Sequence, residues 1–216
     1  MNISQLVTGP LSVNTWCVPL DSRRMMVVDP GGDADSIIAH ISARDSTVAL
    51  ILLTHGHFDH MIGLPALARA WPEASIAIHG DDAVWLGDGA LARHYAFFAE
   101  LGAGSVVSRY KDELPEATQL LAEGQPLAVG VGETVDGWTV MHTPGHSPGS
   151  VCLYNEAEHT LIAGDTLFKA GYGRTDASGG DYAALADSLS RLFKLPAETL
   201  VLPGHGGTTT IGKERF

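Results

Sequence analysis

Three histidines and one carboxylate fall in the run His55-Gly56-His57-Phe58-Asp59-His60, directly after the apolar stretch Val48–Leu53 and Thr54. Three further groups sit in glycine-flanked segments: His146 in Thr143-Pro144-Gly145-His146-Ser147, Asp165 in Ala163-Gly164-Asp165-Thr166, and His205 in Pro203-Gly204-His205-Gly206. Neutral imidazoles and carboxylates are the ligands that suit zinc, iron and manganese, and seven of them exceed what one tetrahedral ion uses. Two divalent ions fit the count, with zinc the first choice and iron or manganese the others. A lone loop histidine is usually structural, and that reading is kept for His40, His79, His94, His142 and His159. It fails for the 55–60 run, where crowded polar groups would desolvate or repel one another unless a cation gathered them.

Such groups must be held by a rigid frame. Short strand-like runs come first, at Gln5–Thr8, Val13–Leu20 and Met25–Asp29, the last stopped by Pro30-Gly31-Gly32, and they predict an antiparallel meander. Asp33 is placed to cap a helix whose Ile37, Ile38 and Ile41 share one face, and Val48–Leu53 reads as a strand covered on both sides. A second helix is expected over Met61–Trp71, closed by Pro72, and a short strand over Ser75–His79. Asp81 to about Leu101 reads as apolar helix broken near Gly87–Gly89, while Arg109–Gly124 has no clear period. Strands return at Trp138–His142, Val151–Tyr154, Leu161–Ala163 and Thr199–Leu202, with a helix between Asp181 and Lys194. This alternation predicts two sheets stacked face to face with helices on their outer faces, in one domain over residues 1–216.

The chain has 216 residues, 45% of them hydrophobic, and carries 13 basic against 25 acidic residues for a net charge of -12. That balance argues against nucleic acid or an anionic membrane surface as partner, and against a nuclease. No apolar run is long enough for a membrane span and MNISQLVTGP lacks a signal-peptide layout, so the expected location is cytoplasmic. The two cysteines, Cys17 and Cys152, lie in strand-like runs and read as reduced, buried thiols.

The motifs His55-x-His57-x-Asp59-His60, His146, Asp165 and His205, with Asn14 and the Asp29-Pro30-Gly31-Gly32 turn, resemble the metallo-β-lactamase fold superfamily over essentially the whole chain. The resemblance implies an α/β fold, an αββα sandwich of two stacked mixed sheets with metals at one edge. It implies that His55, His57 and His146 hold one ion, that Asp59, His60 and His205 hold the other, and that Asp165 bridges both. Asp59 would in addition be catalytic by orienting the nucleophile. The stretch Gly164-Asp165-Thr166-Leu167-Phe168, then Gly171-Tyr172-Gly173-Arg174-Thr175-Asp176, together with the ending Gly206 to Phe216, is similar to short bacterial hydroxyacylglutathione hydrolases (glyoxalase II).

That likeness implies hydrolysis of a thioester of glutathione or a similar thiol by metal-bound hydroxide, which two ions generate near neutral pH without a side-chain base. Arg174 stands where glyoxalase II enzymes carry a basic substrate-binding residue, with Lys169 and Tyr172 as further candidates; its other reading is a brace paired with Asp176 or Asp181. Asp176 departs from the substrate-contacting tyrosine of the longer enzymes, whose helical C-terminal region with basic glutathione-binding residues has no counterpart after His205 in this sequence. Competing readings are a lactonase or β-lactamase of the same fold and a persulfide dioxygenase with one iron on His55, His146 and Asp165. A metal-binding scaffold without turnover stands outside the enzymes. The apolar residues of the 81–101 segment, Trp85, Leu86, Leu91, Tyr95, Phe97 and Phe98, are expected to pack on the sheet, the other readings being a wall of the substrate cleft or a subunit contact.

Overall fold

The structure, a computed structural model, describes residues 2–129 and 133–215. Phe216, the last residue of the glyoxalase-like ending, lies outside them. The chain opens with strands β1 (Ser4–Thr8), β2 (Val13–Pro19) and β3 (Arg24–Val28), which form the expected antiparallel meander. Helix α1 (Ala34–Ser42) carries the chain to β4 (Thr47–Leu52), parallel to β3, and α2 (Leu64–Ala70) leads to β5 (Ser75–His79), parallel to β4. Helices α3 (Ala90–Glu100) and α4 (Gly104–Val107) precede the edge strand β6 (Gln119–Leu121), completing a six-stranded sheet in sequence order.

The second sheet contains β7 (Pro126–Ala128), β8 (Thr134–His142), β9 (Val151–Asn155) and β10 (Thr160–Gly164). A hairpin, β11 (Leu167–Phe168) with β12 (Gly171–Tyr172), and helix α5 (Tyr182–Leu192) lead to β13 (Leu200–Pro203), β14 (Thr209–Thr210) and helix α6 (Ile211–Glu214). The order of this sheet is β14-β13-β10-β9-β8-β7, with β10 and β13 parallel and the other neighbours antiparallel.

Strand periodicity explains the layers, because successive side chains leave a strand on opposite faces. In β4, Leu50 and Leu52 point between the sheets with Trp16, Met26, Trp138, Val140, Leu153 and Ile162, whereas Ile51 faces Ile37, Ile41, Leu67 and Phe98 under the helices. On the far side, Leu161 and Val201 meet Leu185, Leu189 and Leu192 of α5 and Ile211 of α6. Three apolar layers between four layers of backbone are the αββα sandwich. Each fully buried aliphatic side chain contributes roughly 1.5–3 kcal/mol by leaving water.

Local expectations differ from the structure at three places. Asp33 begins α1 but makes no side-chain cap; with φ of 44° it directs its carboxylate to the N–H of Gly9 at 2.9 Å, tying the first turn to the second. The helix expected from Met61 begins only at Leu64, since a single 3-10 turn over Phe58–His60 first redirects the chain. In the 109–124 segment three residues of edge strand form, too short to show a period.

The two sheets are stitched together at one rim. The Thr54 carbonyl accepts the Val151 N–H at 2.8 Å, and the Gly204 carbonyl accepts the Asn14 N–H at 2.7 Å. The Asn14 side-chain amide donates to the carbonyls of Pro203 and Gly206, and the Trp16 indole donates to Pro203 as well. That rim is where the strands bearing the histidine and aspartate loops end.

Candidate metal centre

Strands β3, β4 and β5 run parallel, and so do β8, β10 and β13, so the loops after all six leave the sandwich on the same side of their sheets. The loop after β4 carries His55, His57, Asp59 and His60; those after β8, β10 and β13 carry His146, Asp165 and His205. All seven converge. His146 Nε2 lies 2.9 Å from His57 Nδ1, and His60 Nε2 lies 3.2 Å from His205 Nε2. Asp165 stands between the two pairs, Oδ1 at 3.5 Å from His60 Nε2 and Oδ2 at 3.6 Å from both His146 Nε2 and His205 Nε2. Asp59 Oδ2 is 3.5 Å from His205 Nε2 and 3.7 Å from His60 Nε2.

The hydrogen bonds around the rings fix which nitrogen faces inward. The His146 Nδ1–H donates to the Arg174 carbonyl at 2.8 Å, and the His60 Nδ1–H donates to Asp29 Oδ2 at 3.0 Å. The Thr54 hydroxyl donates to Asp29 at 2.7 Å, so its oxygen receives the Nδ1–H of His55 at 3.1 Å. His55, His60 and His146 each turn a bare Nε2 lone pair toward the centre. Among the described residues His55 Nε2 and Asp165 Oδ1 are buried without a hydrogen-bond partner.

These atoms fit metal ions. Two nitrogens each about 2.0–2.1 Å from one tetrahedral ion stand about 3.3 Å apart, close to the imidazole pairs found here. His55, His57 and His146 form one group whose ligand atoms lie within 4.8 Å of each other, and Asp59, His60 and His205 form a second. Buried acceptors facing one another without donors are costly unless a cation lies between them.

Electrostatics agrees. Burial and the nearby His146 charge push His57 down to about 3, and burial pushes His55 well below the ordinary imidazole range. Burial works against charge on His60 too, but Asp165, Asp59 and Asp29 overcome it and raise its pKa well above normal. His205 is raised for the same reason, burial being outweighed by its bond to Asp59 and by Asp165. Burial raises the Asp165 carboxyl, yet His60, His146 and His205 outweigh it and hold the group below the usual range. The carboxylates thus remain charged.

Glycines let these loops meet. Gly164 has φ of 47°, and a Cβ there would collide with Thr54; a Cβ on Gly204 would overlap Asp165 Oδ1. Two carboxylates that spacing does not reveal hold the loops. Asp29 accepts from the Thr54 N–H at 2.8 Å besides the Thr54 hydroxyl and His60. Asp82, fully buried, accepts from the Gly56 N–H at 2.7 Å, the Ser147 hydroxyl at 2.6 Å and the Gly149 N–H at 2.8 Å, clamping the His55–His57 and His146 loops together. Asp29 belongs to the Asp29-Pro30-Gly31-Gly32 turn that carries part of the family resemblance, without its partners being indicated, and Asp82 has no sequence signal beyond a position just past a strand, after His79-Gly80.

The 81–101 segment packs on the sheet, as expected, and two of its aromatic rings reach the loop after β4. Leu86, Phe97 and Phe98 are core, while Trp85 packs on Gly56 and Phe97 stacks on the His57 ring at 4.9 Å. Tyr95 is exposed. Of the other histidines, His79 and His142 stack at 4.0 Å beside Asp81, away from the centre, and His94 is buried against Trp85.

Among the substrate candidates, Arg174 presents its backbone carbonyl to His146, but its exposed guanidinium is paired with Asp176 at 2.7 and 3.0 Å. Lys169 and Tyr172 line a separate cavity with Thr209, Lys213 and Glu214. Cys17 and Cys152 are free and buried, and burial pushes both thiols up to about 11. Among the described residues no helix is long and apolar enough to cross a membrane.

Comparison with known proteins accords with this geometry. Residues 8–205 match the family model of the metallo-beta-lactamase superfamily. A probable metallo-hydrolase, YqgX of Bacillus subtilis, is 33% identical over the whole chain and 95% of its own length. Hydroxyacylglutathione hydrolase GloC of Haemophilus influenzae is 29% identical, again over the whole chain and 95% of that protein. The crystal structure of the BLEG-1 B3 metallo-beta-lactamase superposes with a TM-score of 0.84 at 35% identity, covering 99% of this chain and 96% of the other. The TTHA1623 protein, solved in a di-iron-bound form, gives 0.79 at 33% identity, covering 98% and 96%.

Proposed function

The chain belongs to the metallo-β-lactamase superfamily, and from that premise we propose that it is a single-domain hydrolase with two divalent metal ions that cleaves a thioester of glutathione or a similar small thiol. The observation that carries this reading is Asp165, seated between a His55/His57/His146 group and an Asp59/His60/His205 group. Zinc is the proposed ion, with iron the alternative supported by the di-iron form of TTHA1623.

When bound, such ions supply Lewis acidity and lower the pKa of water enough to make it a nucleophile at neutral pH. The chain's own residues do the rest. His55, His60 and His146 aim fixed lone pairs inward, so little reorganisation accompanies reaction. Asp59, held charged beside His60 and His205 despite burial, is the acceptor placed to orient the attacking water. Neither cysteine offers a nucleophile, because both thiols are buried and protonated. Phe97 and Trp85 cover His57 and Gly56 and keep bulk water from that flank. The likeness to GloC supports the thioester choice, and the likeness to a B3 β-lactamase supports β-lactam hydrolysis as a second reading of the same centre.

The deciding experiment is metal analysis of protein purified without added metal, beside assays on S-lactoylglutathione, lactones and β-lactams. Two ions per chain and thioester turnover lost to a chelator and restored by zinc, iron or manganese are expected. Far higher efficiency on a lactone or β-lactam would replace the substrate assignment. A single iron whose occupancy survives loss of His60 or His205 would replace the dinuclear reading with the mononuclear one.

A further inference from the structure

We propose that the cavity between the β11–β12 hairpin and helix α6 is an anion subsite in which Lys169 and Lys213 hold a carboxylate of the thiol carrier, away from the bond that is cut. This rests on the hydrolase reading above and assigns the charge-selecting role to a lysine pair in place of Arg174.

The cavity, about 520 Å³, is lined by Lys169, Tyr172, Thr209, Lys213 and Glu214 among others. That volume lies within the roughly 300–1,000 Å³ of small-molecule sites. Its two walls begin four residues after Asp165 and four residues after His205 in the chain, so both are tied by short segments to candidate ligands. The Phe168 ring lies edge-on to His205 with centroids 6.3 Å apart, and a Cβ on Gly207 would stand 3.8 Å from Lys169 Cδ.

Of the thirteen basic residues of this chain of net charge -12, Arg24, Arg69, Arg174 and Arg191 are ion-paired, and what matters at this cavity is that two of the others line it together. Lys169 and Lys213 are exposed, face one cavity, and form no ion pair among the described residues. The cavity's one carboxylate, Glu214, is already engaged: Oε2 accepts the Ala170 N–H at 2.7 Å and Oε1 accepts the Thr209 hydroxyl at 2.5 Å. It ties the hairpin to β14 and α6, fixing the two lysine backbones relative to each other. Two ammoniums against one braced carboxylate leave a net positive site. Flexible lysine stems suit a carboxylate whose position varies among acyl groups.

The test compares wild type, the Lys169→Ala/Lys213→Ala double variant and Lys194→Ala, a substitution at an exposed lysine outside this cavity. Turnover is measured on S-lactoylglutathione and on the neutral thioester S-lactoyl-N-acetylcysteamine, and glutathione binding is measured by calorimetry. The double variant should lower the ratio of kcat/KM for the anionic over the neutral thioester by on the order of tenfold, through KM, and weaken glutathione binding similarly. Lys194→Ala should leave both readouts as in wild type. Rising salt should erode the wild-type preference, as a part-exposed ionic contact requires. An unchanged ratio and unchanged glutathione affinity in the double variant overturn the subsite while leaving the hydrolase reading intact. Lysine-dependent glutathione binding with neither thioester hydrolysed supports the subsite and overturns the thioesterase. Wild-type protein that neither binds glutathione nor hydrolyses either thioester overturns both.

Discussion

The carboxylate of Asp29 receives the Nδ1–H of His60 at 3.0 Å, deep in the rim where both groups are almost fully buried. This bond leaves Nε2 as the lone pair that faces His205 and Asp165, so a residue at the end of β3 decides how a ligand in the loop after β4 is presented. Removing the partner of a ligating histidine typically weakens metal binding about 10–100-fold. Asp29→Ala should therefore release the ion of the Asp59/His60/His205 group at far lower chelator concentration than wild type. It should also leave the Thr54 N–H buried without its acceptor. Chelator titration followed by elemental analysis reads the outcome, and two ions held at wild-type affinity would refute the role assigned to Asp29.

Asp82 acts on the other ligand group. Three donors from two loops converge on its carboxylate, and each buried donor left unpaired costs about 1–3 kcal/mol. Asp82→Ala should lower thermal stability by several degrees and loosen the ion of the His55/His57/His146 group first. Asp82→Asn, which keeps an acceptor but loses the charge, should fall between. A variant with wild-type Tm and metal affinity would show that the loops hold their places without the clamp.

For Arg174 and Asp176 the expectation is a small one. Both side chains are more than half exposed, and such pairs contribute about 0–1 kcal/mol. Arg174→Ala should change Tm little and raise KM for an anionic thioester less than the Lys169/Lys213 variant does. Asp176→Ala, by freeing the guanidinium, should lower that KM. The reverse order of effects would return the clamp to Arg174.

The seven central groups were legible because their signal is local: four sit within six positions, and the others each occupy a glycine-flanked loop after an apolar run. The layers were legible for the same reason, since β4 reads as a strand apolar on both faces. Asp29 and Asp82 were not, because their partners Thr54, Gly56, Ser147 and Gly149 are 25 to 67 residues away and nothing in the spacing links them. Asp33 shows the converse: its type suits a cap, yet a tertiary partner 24 residues distant takes its carboxylate. Lys213 and Lys169 are 44 positions apart in number and become neighbours only when β14 pairs with β13 and Glu214 reaches Ala170.

His94 supplies a pH dependence that does not involve a candidate metal ligand. Its ring stacks on Trp85 with centroids 5.0 Å apart, its Nε2–H donates to the Trp85 carbonyl at 2.9 Å, and Nδ1 is buried without a partner. Burial pushes its pKa down from 6.5 to about 4. The folded protein therefore binds fewer protons than the unfolded chain between these values, and stability falls as pH drops through that window, the loss being complete below about 4. At about 1.4 kcal/mol per pH unit the total is on the order of 3 kcal/mol. Because Trp85 rests on Gly56, protonation of His94 should loosen the wall over the His55–His57 loop as well. His94→Gln keeps a donor for the Trp85 carbonyl but cannot titrate. Urea unfolding of both metal-free proteins across pH 7 to 4 should show their stabilities diverging, wild type losing more. Parallel curves would mean that His94 takes up its proton without leaving the core, and that the acid sensitivity belongs to other groups.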